Sequence, residues 1–264
     1  LLISKMMKIP HIHTELGSSH SVLANRILCL LSEWYDHTLG ALAIKNADHV
    51  ICNCKTSKDF LLHLGVEGQK IKVINSGVDL SLFFRKESNW RSELGLDMDA
   101  IVITVVSRLI YAKGVQDVIC AFSRIRQDVE NIKLLIVGDG NYRKYLESIV
   151  PDANREDVIF LGELSQKDVS DIYNITDIII NPSYSESLIS YSVLEAGAIG
   201  VPSISTDVGG AREVIREGIS GLLFEPKNIA ELNEKTYTLL LNSELRRNIG
   251  ANARQTIIHD YNWD

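Results

Sequence analysis

A chain of 264 residues with 45% hydrophobic and 23% charged residues has ordinary globular composition, which excludes disorder as its default and leaves room for one large domain or two smaller ones. Its formal charge of −7 provides no broad basic field for a phosphate backbone, so nucleic acid is not the expected partner, although a local basic site for a small phosphate ligand is compatible with it. Apolar runs stop well short of the roughly 20 residues a spanning helix needs, because Arg26, Glu33, Asp36 and Lys45 interrupt the longest candidate. The opening "LLISKMMKIP" is too short, and its lysines too scattered, to read as a signal peptide.

In chain order, Leu23, Ile27, Leu31, Trp34, Leu39 and Leu42 recur at about helical spacing and predict one long amphipathic helix over 22–45. The apolar run "HVICNC" reads as a strand, "TSKDFLLHLG" as a helix closed by Gly65, and "KIKVINSG" as a second strand. Cys52 and Cys54 fall on alternate residues of the first of these strands. With Cys29 and Cys120 they form no C-x-x-C framework with companion histidines, so they read as reduced, buried thiols of a cytosolic protein. From Asp79 to Asp99 periodicity fades and charge rises, with space for a short helix; a domain boundary is placed there, giving 1–83 and 84–264.

Beyond it the alternation is regular. "IVITVVS", "KLLIVG", "VIFLG", "DIIINPS", "PSISTD" and "GLLF" are short apolar strands, and each of the first five precedes a helical pattern. Strands that are apolar throughout and alternate with helices predict a parallel sheet covered on both faces. Ligands of such sheets bind beyond the carboxyl ends of the strands, which directs attention to the residues just after each one.

Arg108 and Lys113 follow the first strand of the second domain, on a loop leading into a helix. A planar fork and a point charge at such a mouth suit a diphosphate; the competing reading is two solvated loop residues. "LLIVGDGNYRKYL" begins like a dinucleotide fingerprint, but Arg143 stands at the third glycine position. Gly138 and Gly140 then serve either close approach to a ligand or simple chain reversal. In "NPSYSESLISYSVLEAG", Glu186 lies in the loop over the sheet edge and can accept from sugar hydroxyls. Ser187, Leu188, Ile189 and Ser190 approach a helix whose free amides favour an anion. Glu195, further along that helix, either reaches a ribose or closes a capping box with Ser192. Gly209 and Gly210 at the next strand end read as backbone room beside a ligand or neighbouring loop.

Together with "SRLIYAKG", "VIFLGEL", "LEAGAIGVPSISTDVGGAREVI" and "GISGLLFEP", and with "IPHIHTELGS", "ADHVICNCKTSKDFL" and "VINSGVDLSLF" earlier, these stretches resemble the family 4 retaining glycosyltransferases of GT-B fold, in order over nearly the whole chain. The resemblance implies an α/β protein of two Rossmann-like domains with parallel sheets: a partial acceptor-side domain, 1–83, and a nucleotide-sugar-binding domain, 84–264. It implies transfer of a hexose from a UDP- or GDP-linked donor to an acceptor hydroxyl with retained anomeric configuration, using neither metal nor other cofactor. By the same resemblance Arg108 and Lys113 bind the diphosphate and act in catalysis with Glu186, which faces the donor sugar. Amides at Ser187, Leu188 and Ile189 hold phosphate, and Glu195 faces the ribose. The donor base is chosen by main-chain contacts around loops such as "FLGEL". A glycan or lipid-linked acceptor, polysaccharide biosynthesis and a cytoplasmic location, with peripheral contact of the N-terminal domain at the inner membrane face, complete the expectation.

Three departures stand out. Eight residues separate Glu186 from Glu195 where the family has seven, and Ser187 occupies a common glycine position. Leu16 stands where the family carries histidine, with His11, His13 and His20 nearby. The first strand and its glycine-rich turn have no counterpart before Leu1, and "YNWD" stops where the crossover helix begins, so a fragment is expected. These departures motivate a second reading, a nucleotide-sugar-binding protein without catalytic activity. A third keeps the fold but changes the chemistry, to an epimerase or a phosphorylase.

Overall fold

The structure, a computed structural model, describes residues 7, 9–15, 26–186 and 188–263. They form two compact units. The first comprises Leu1–Ser76 with Ser185–Ile189 and Val208–Glu213; the second comprises Gly77–Tyr184, Ser190–Asp207 and Val214–Asp264.

In the first unit, β1 (Ile12–Glu15), β2 (His49–Cys52) and β3 (Ile71–Val73) form a parallel sheet in that order. Helices α1 (Arg26–Tyr35) and α2 (Ala41–Lys45) are joined by a π-helical turn, Asp36–Gly40, and α3 (Lys55–His63) links β2 to β3. The described part of the expected helix is thus interrupted, and much of its apolar face is exposed: Ile27, Leu31, Trp34 and Leu42 lie open to solvent, while Ala41 and Ile44 join Val50, Leu61, Val66 and Ile71 in a small core. Wide turns of this kind shift the helical phase, so residues evenly spaced in sequence no longer share one face. Cys54 leaves the strand it was assigned to. It caps α3, accepting from the Ser57 amide at 3.4 Å. None of the four cysteines is in a disulfide; Cys52 and Cys54 are buried and the other two partly exposed.

In the second unit, α4 (Trp90–Glu93) precedes a run of strands and helices. In order these are β4 (Ile101–Val106), α5 (Val115–Ile125), β5 (Ile132–Val137), α6 (Arg143–Ser148), β6 (Val158–Gly162), α7 (Gln166–Ile175), β7 (Ile178–Asn181), α8 (Tyr191–Ile199), β8 (Ser203–Thr206), α9 (Ala211–Val214), β9 (Leu222–Phe224), α10 (Ile229–Leu241) and α11 (Ser243–Asp260). All six strands are parallel, in the order β6-β5-β4-β7-β8-β9. Their continuous apolar runs are buried: Ile103, Leu134, Ile136, Ile178, Ile180, Ile204 and Phe224 pack with Phe122 of α5 and Leu232 and Leu239 of α10. Covering helices on a parallel sheet are what those runs require, since an unbroken apolar strand has no face to give to water. Successive strands run outward from β4 on one side and from β7 on the other, so β4 and β7 flank a topological switch point, where open sheets of this kind bind ligands.

Candidate functional site

The loops beyond the carboxyl ends of β4, β5 and β6 interlock through main chain. Ser107 N donates to Val137 O at 3.0 Å, Leu109 N to Asp139 O at 2.8 Å, Tyr142 N to Leu109 O at 3.0 Å and Gly138 N to Gly162 O at 2.7 Å. This packing decides the use of two glycines. Gly138 has φ +125°, and a Cβ there would run into the Ser107 carbonyl, while one on Gly140 would meet that of Leu109. Both are therefore demanded by loop-to-loop approach. Above this floor lies a cleft of about 510 Å³ lined by Ser107, Arg108, Gly138, Asp139, Glu163 and Leu164, among others. That volume suits a small-molecule ligand. Ser107 Oγ is buried and has no hydrogen-bond partner among the described residues. Arg143, at the failed third glycine position, is engaged by Asp139 at 3.2 Å and Glu147 at 2.7 Å.

Arg108 is exposed, two residues beyond β4. Lys113 is half-buried and ends a 3-10 turn, Tyr111–Lys113. Gly114, at φ +68°, then turns the chain into α5 in the left-handed region, and a Cβ on it would strike the Pro182 carbonyl beyond β7. Tyr184 N donates to Ala112 O at 2.8 Å, so the loops on both sides of the switch point are tied together. Aromatic rings brace them: Tyr111 lies edge-on to Tyr142 and Tyr184, and the Lys227 ammonium sits 4.8 Å from the Tyr184 ring centre. Gln116 Nε2 donates to Tyr184 Oη at 2.6 Å. Burial holds the Asp117 carboxyl above its ordinary range against the opposing pull of Tyr184 and Lys227, and Asp117 Oδ2 is buried without a partner among the described residues.

Glu195 projects from the middle of α8, not from its start. Ser190 is the N-cap, and no side-chain capping bond is made there, so the capping-box reading fails. Tyr173 Oη donates to Glu195 Oε2 at 3.1 Å, while burial pushes the Glu195 carboxyl up to about 7.

Within the first unit, Glu186 and Leu188 are half-buried and Ile189 is buried. Gly209 packs on the Glu186 main chain and Gly210 on Ile189 and Cys54. His13 Nε2 lies 3.2 Å from Glu15 Oε2. Ser187, Leu16 and His20 lie outside the described residues. Of the predicted residues in the second unit, Arg108 lines the cleft, whereas Lys113 and Glu195 are not among its lining residues.

Sequence reasoning did not single out Ser107, Asp139, Tyr173 or Asp117. The first two follow strands and were open to the strand-end rule; the other two depend on tertiary approach. Among the described residues no group of three or more His, Cys, Asp or Glu is placed to hold a metal ion, and no helix is long and apolar enough to cross a membrane.

Residues 86–256 match the family described as glycosyl transferases group 1, and residues 1–82 match glycosyltransferase family 4. An uncharacterized glycosyltransferase of Methanocaldococcus jannaschii is 30% identical over 264 residues, covering 100% of this chain and 67% of its own length. The N-acetyl-alpha-D-glucosaminyl L-malate synthase of Bacillus anthracis is 33% identical over 193 residues, covering 72% of this chain and 50% of the relative. Another relative from M. jannaschii, also an uncharacterized glycosyltransferase, is 29% identical over 260 residues, and the chain spans 64% of its length. The solved structure of Anabaena HepE in complex with UDP-glucose superposes with a TM-score of 0.81 at 23% identity, covering 99% of this chain and 71% of that one. With both halves matched in order and parallel sheets of Rossmann type in both units, the chain belongs to the glycosyl transferases group 1, within family 4 and with the GT-B fold.

Proposed function

We propose that the chain carries the donor half of a retaining, metal-independent glycosyltransferase that moves a hexose from a UDP- or GDP-linked donor to a hydroxyl of a glycan or lipid-linked acceptor. The observation that supports it best is the position of Arg108 on a cleft of about 510 Å³ beyond the carboxyl ends of β4, β5 and β6. Negative charge grows on the diphosphate as the glycosidic bond breaks. Arg108 and Lys113 meet that charge with fixed cations, and the first amides of α8, uncapped by any side chain, add dipoles of the same sense. Glu195, one oxygen held by Tyr173, offers the other to a ribose hydroxyl. Glu186 orients the donor sugar, as in the family. The base lies by the loop holding Glu163 and Leu164.

Calorimetry of this chain with UDP and GDP tests binding, and binding of neither refutes the proposal. In the full-length protein, Arg108→Ala is expected to lower kcat/KM on the order of a hundredfold, a barrier increase of ~3 kcal/mol. Near-normal turnover would remove Arg108 from the mechanism. Activity is expected to survive chelator treatment, and the anomeric proton coupling of the product, read by NMR, is expected to match that of the donor. Leu16 at the family's histidine position favours the second reading, binding without catalysis. Tight nucleotide binding with neither hydrolysis nor transfer by the full-length protein would establish it.

A further inference from the structure

The first unit contains a clamp that joins residues far apart in sequence. Glu213 Oε2 accepts from Lys55 N at 2.8 Å, and Glu213 Oε1 accepts from Thr56 N at 2.8 Å and Thr56 Oγ1 at 2.9 Å. Thr56 Oγ1 also lies 3.2 Å from the Gly209 carbonyl oxygen. Lys55 N and Thr56 N are the first amides of α3, donors that no intrahelical carbonyl can satisfy. A carboxylate suits them both by hydrogen bonding and by its charge at the positive end of the helix. Cys54 already serves the Ser57 amide locally. The helix therefore takes the rest of its cap from a residue 157 positions away.

The clamped loop, Val208–Glu213, carries another segment on its other side. Gly209 has φ +55°, and a Cβ on it would run into the Glu186 carbonyl oxygen, with the Glu186 carbonyl carbon at 2.8 Å and the Glu186 Cβ at 3.1 Å. A Cβ on Gly210 would lie 2.7 Å from Ile189 Cγ1, 3.2 Å from Ile189 N and 3.5 Å from Cys54 Cβ. The glycine loop is thus stacked on Glu186 and Ile189 with no room for a methyl group between them, and it lies in ordinary contact with Cys54 at the start of α3. Fixing the loop to α3 fixes the surface on which the Glu186 main chain rests.

We infer that Glu213, assisted by Thr56, is a positioning residue for Glu186: it anchors the Gly209–Gly210 loop to α3 and thereby sets where the Glu186 carboxylate meets the donor sugar. This rests on the assignment of Glu186 to that sugar.

The test is calorimetry on the 264-residue chain with four probes, UDP, UDP-glucose, GDP and GDP-mannose, reading the affinity ratio between each sugar nucleotide and its parent diphosphate. For the pair that the wild type binds, Glu213→Ala is expected to weaken the sugar nucleotide about tenfold more than its parent diphosphate. Glu186→Ala should shift the ratio in the same way, and the double variant should be no worse than Glu186→Ala alone, because the two act as one unit. Glu213→Gln, which keeps one acceptor oxygen, should recover part of the ratio. If Glu213→Ala does not fold, Thr56→Val reads the same effect at about threefold, since it removes a single hydroxyl. Equal losses for diphosphate and sugar nucleotide, or no change in a folded variant, would overturn the inference while leaving the donor site standing. A wild-type chain that binds none of the probes overturns the donor-site reading itself, before any variant is made.

Discussion

Helices α1 and α5 both carry apolar residues at helical spacing, yet they meet different fates. In α5, Val115, Val118, Ile119, Phe122 and Ile125 are no more than 1% exposed, packed on the six-stranded sheet and against α10. In α1, Ile27 is 67% exposed and Trp34 62%. A 3.6-residue period writes a face, but a face stabilises only when another layer takes it out of water. The apolar content of α1 therefore contributes little to the stability of the structure described, and that of α5 contributes a great deal.

The sharpest test of this contrast is Phe122→Ala, expected to cost about 3–5 kcal/mol of unfolding free energy in a urea titration. A loss below about 1 kcal/mol would erase the distinction. Next comes Gly138→Ala, which imposes a side chain at φ +125° against the Ser107 carbonyl. It should cost about 3 kcal/mol by spreading the strand-end loops, read in the same urea titration.

A pH series probes the same unit through Glu195. Its carboxyl is raised to about 7 in the folded state by burial, from an ordinary value of 4.5. Between those values the folded protein holds a proton that the unfolded chain has released, so stability falls as pH rises from 4.5 through 7 and levels off above. The loss approaches roughly 3 kcal/mol by pH 8. Glu195→Gln should abolish this slope, matching the wild type near pH 4 and exceeding it at pH 8; equal slopes would show that the carboxyl is not desolvated as described. The smallest effect belongs to α1: Trp34→Ala should change stability by less than about 0.5 kcal/mol, and a loss comparable to that at Phe122 would mean the helix face is covered in solution.

Much of the second sheet was legible because a strand buried on both faces must be apolar at every position, and "IVITVVS" or "KLLIVG" satisfies that without reference to anything distant. Parallel pairing followed from the intervening helices, and Arg108 from its place after a strand. Relations between remote segments were hidden. Ser192 and Glu195 have capping-box spacing, yet the helix begins at Tyr191 and Glu195 turns to Tyr173, a partner 22 positions upstream. Cys54 looked like a strand residue because alternation cannot announce where a strand stops. Glu213 reads locally as one polar residue in a short helix, and its two amide partners belong to a helix more than 150 positions earlier. The two uses of Gly138 and Gly140 could be separated only once the Ser107 and Leu109 carbonyls were in place.

The floor of the cleft has a bearing on how its specificity can diverge. Main chain is held there by main chain, glycine against carbonyl, so its shape owes little to the identity of the rim residues. Side chains at Glu163 and Leu164 can be exchanged without disturbing the bonds that hold the loops. The chemistry of the cleft rim is thereby free to change while the scaffold beneath it stays the same.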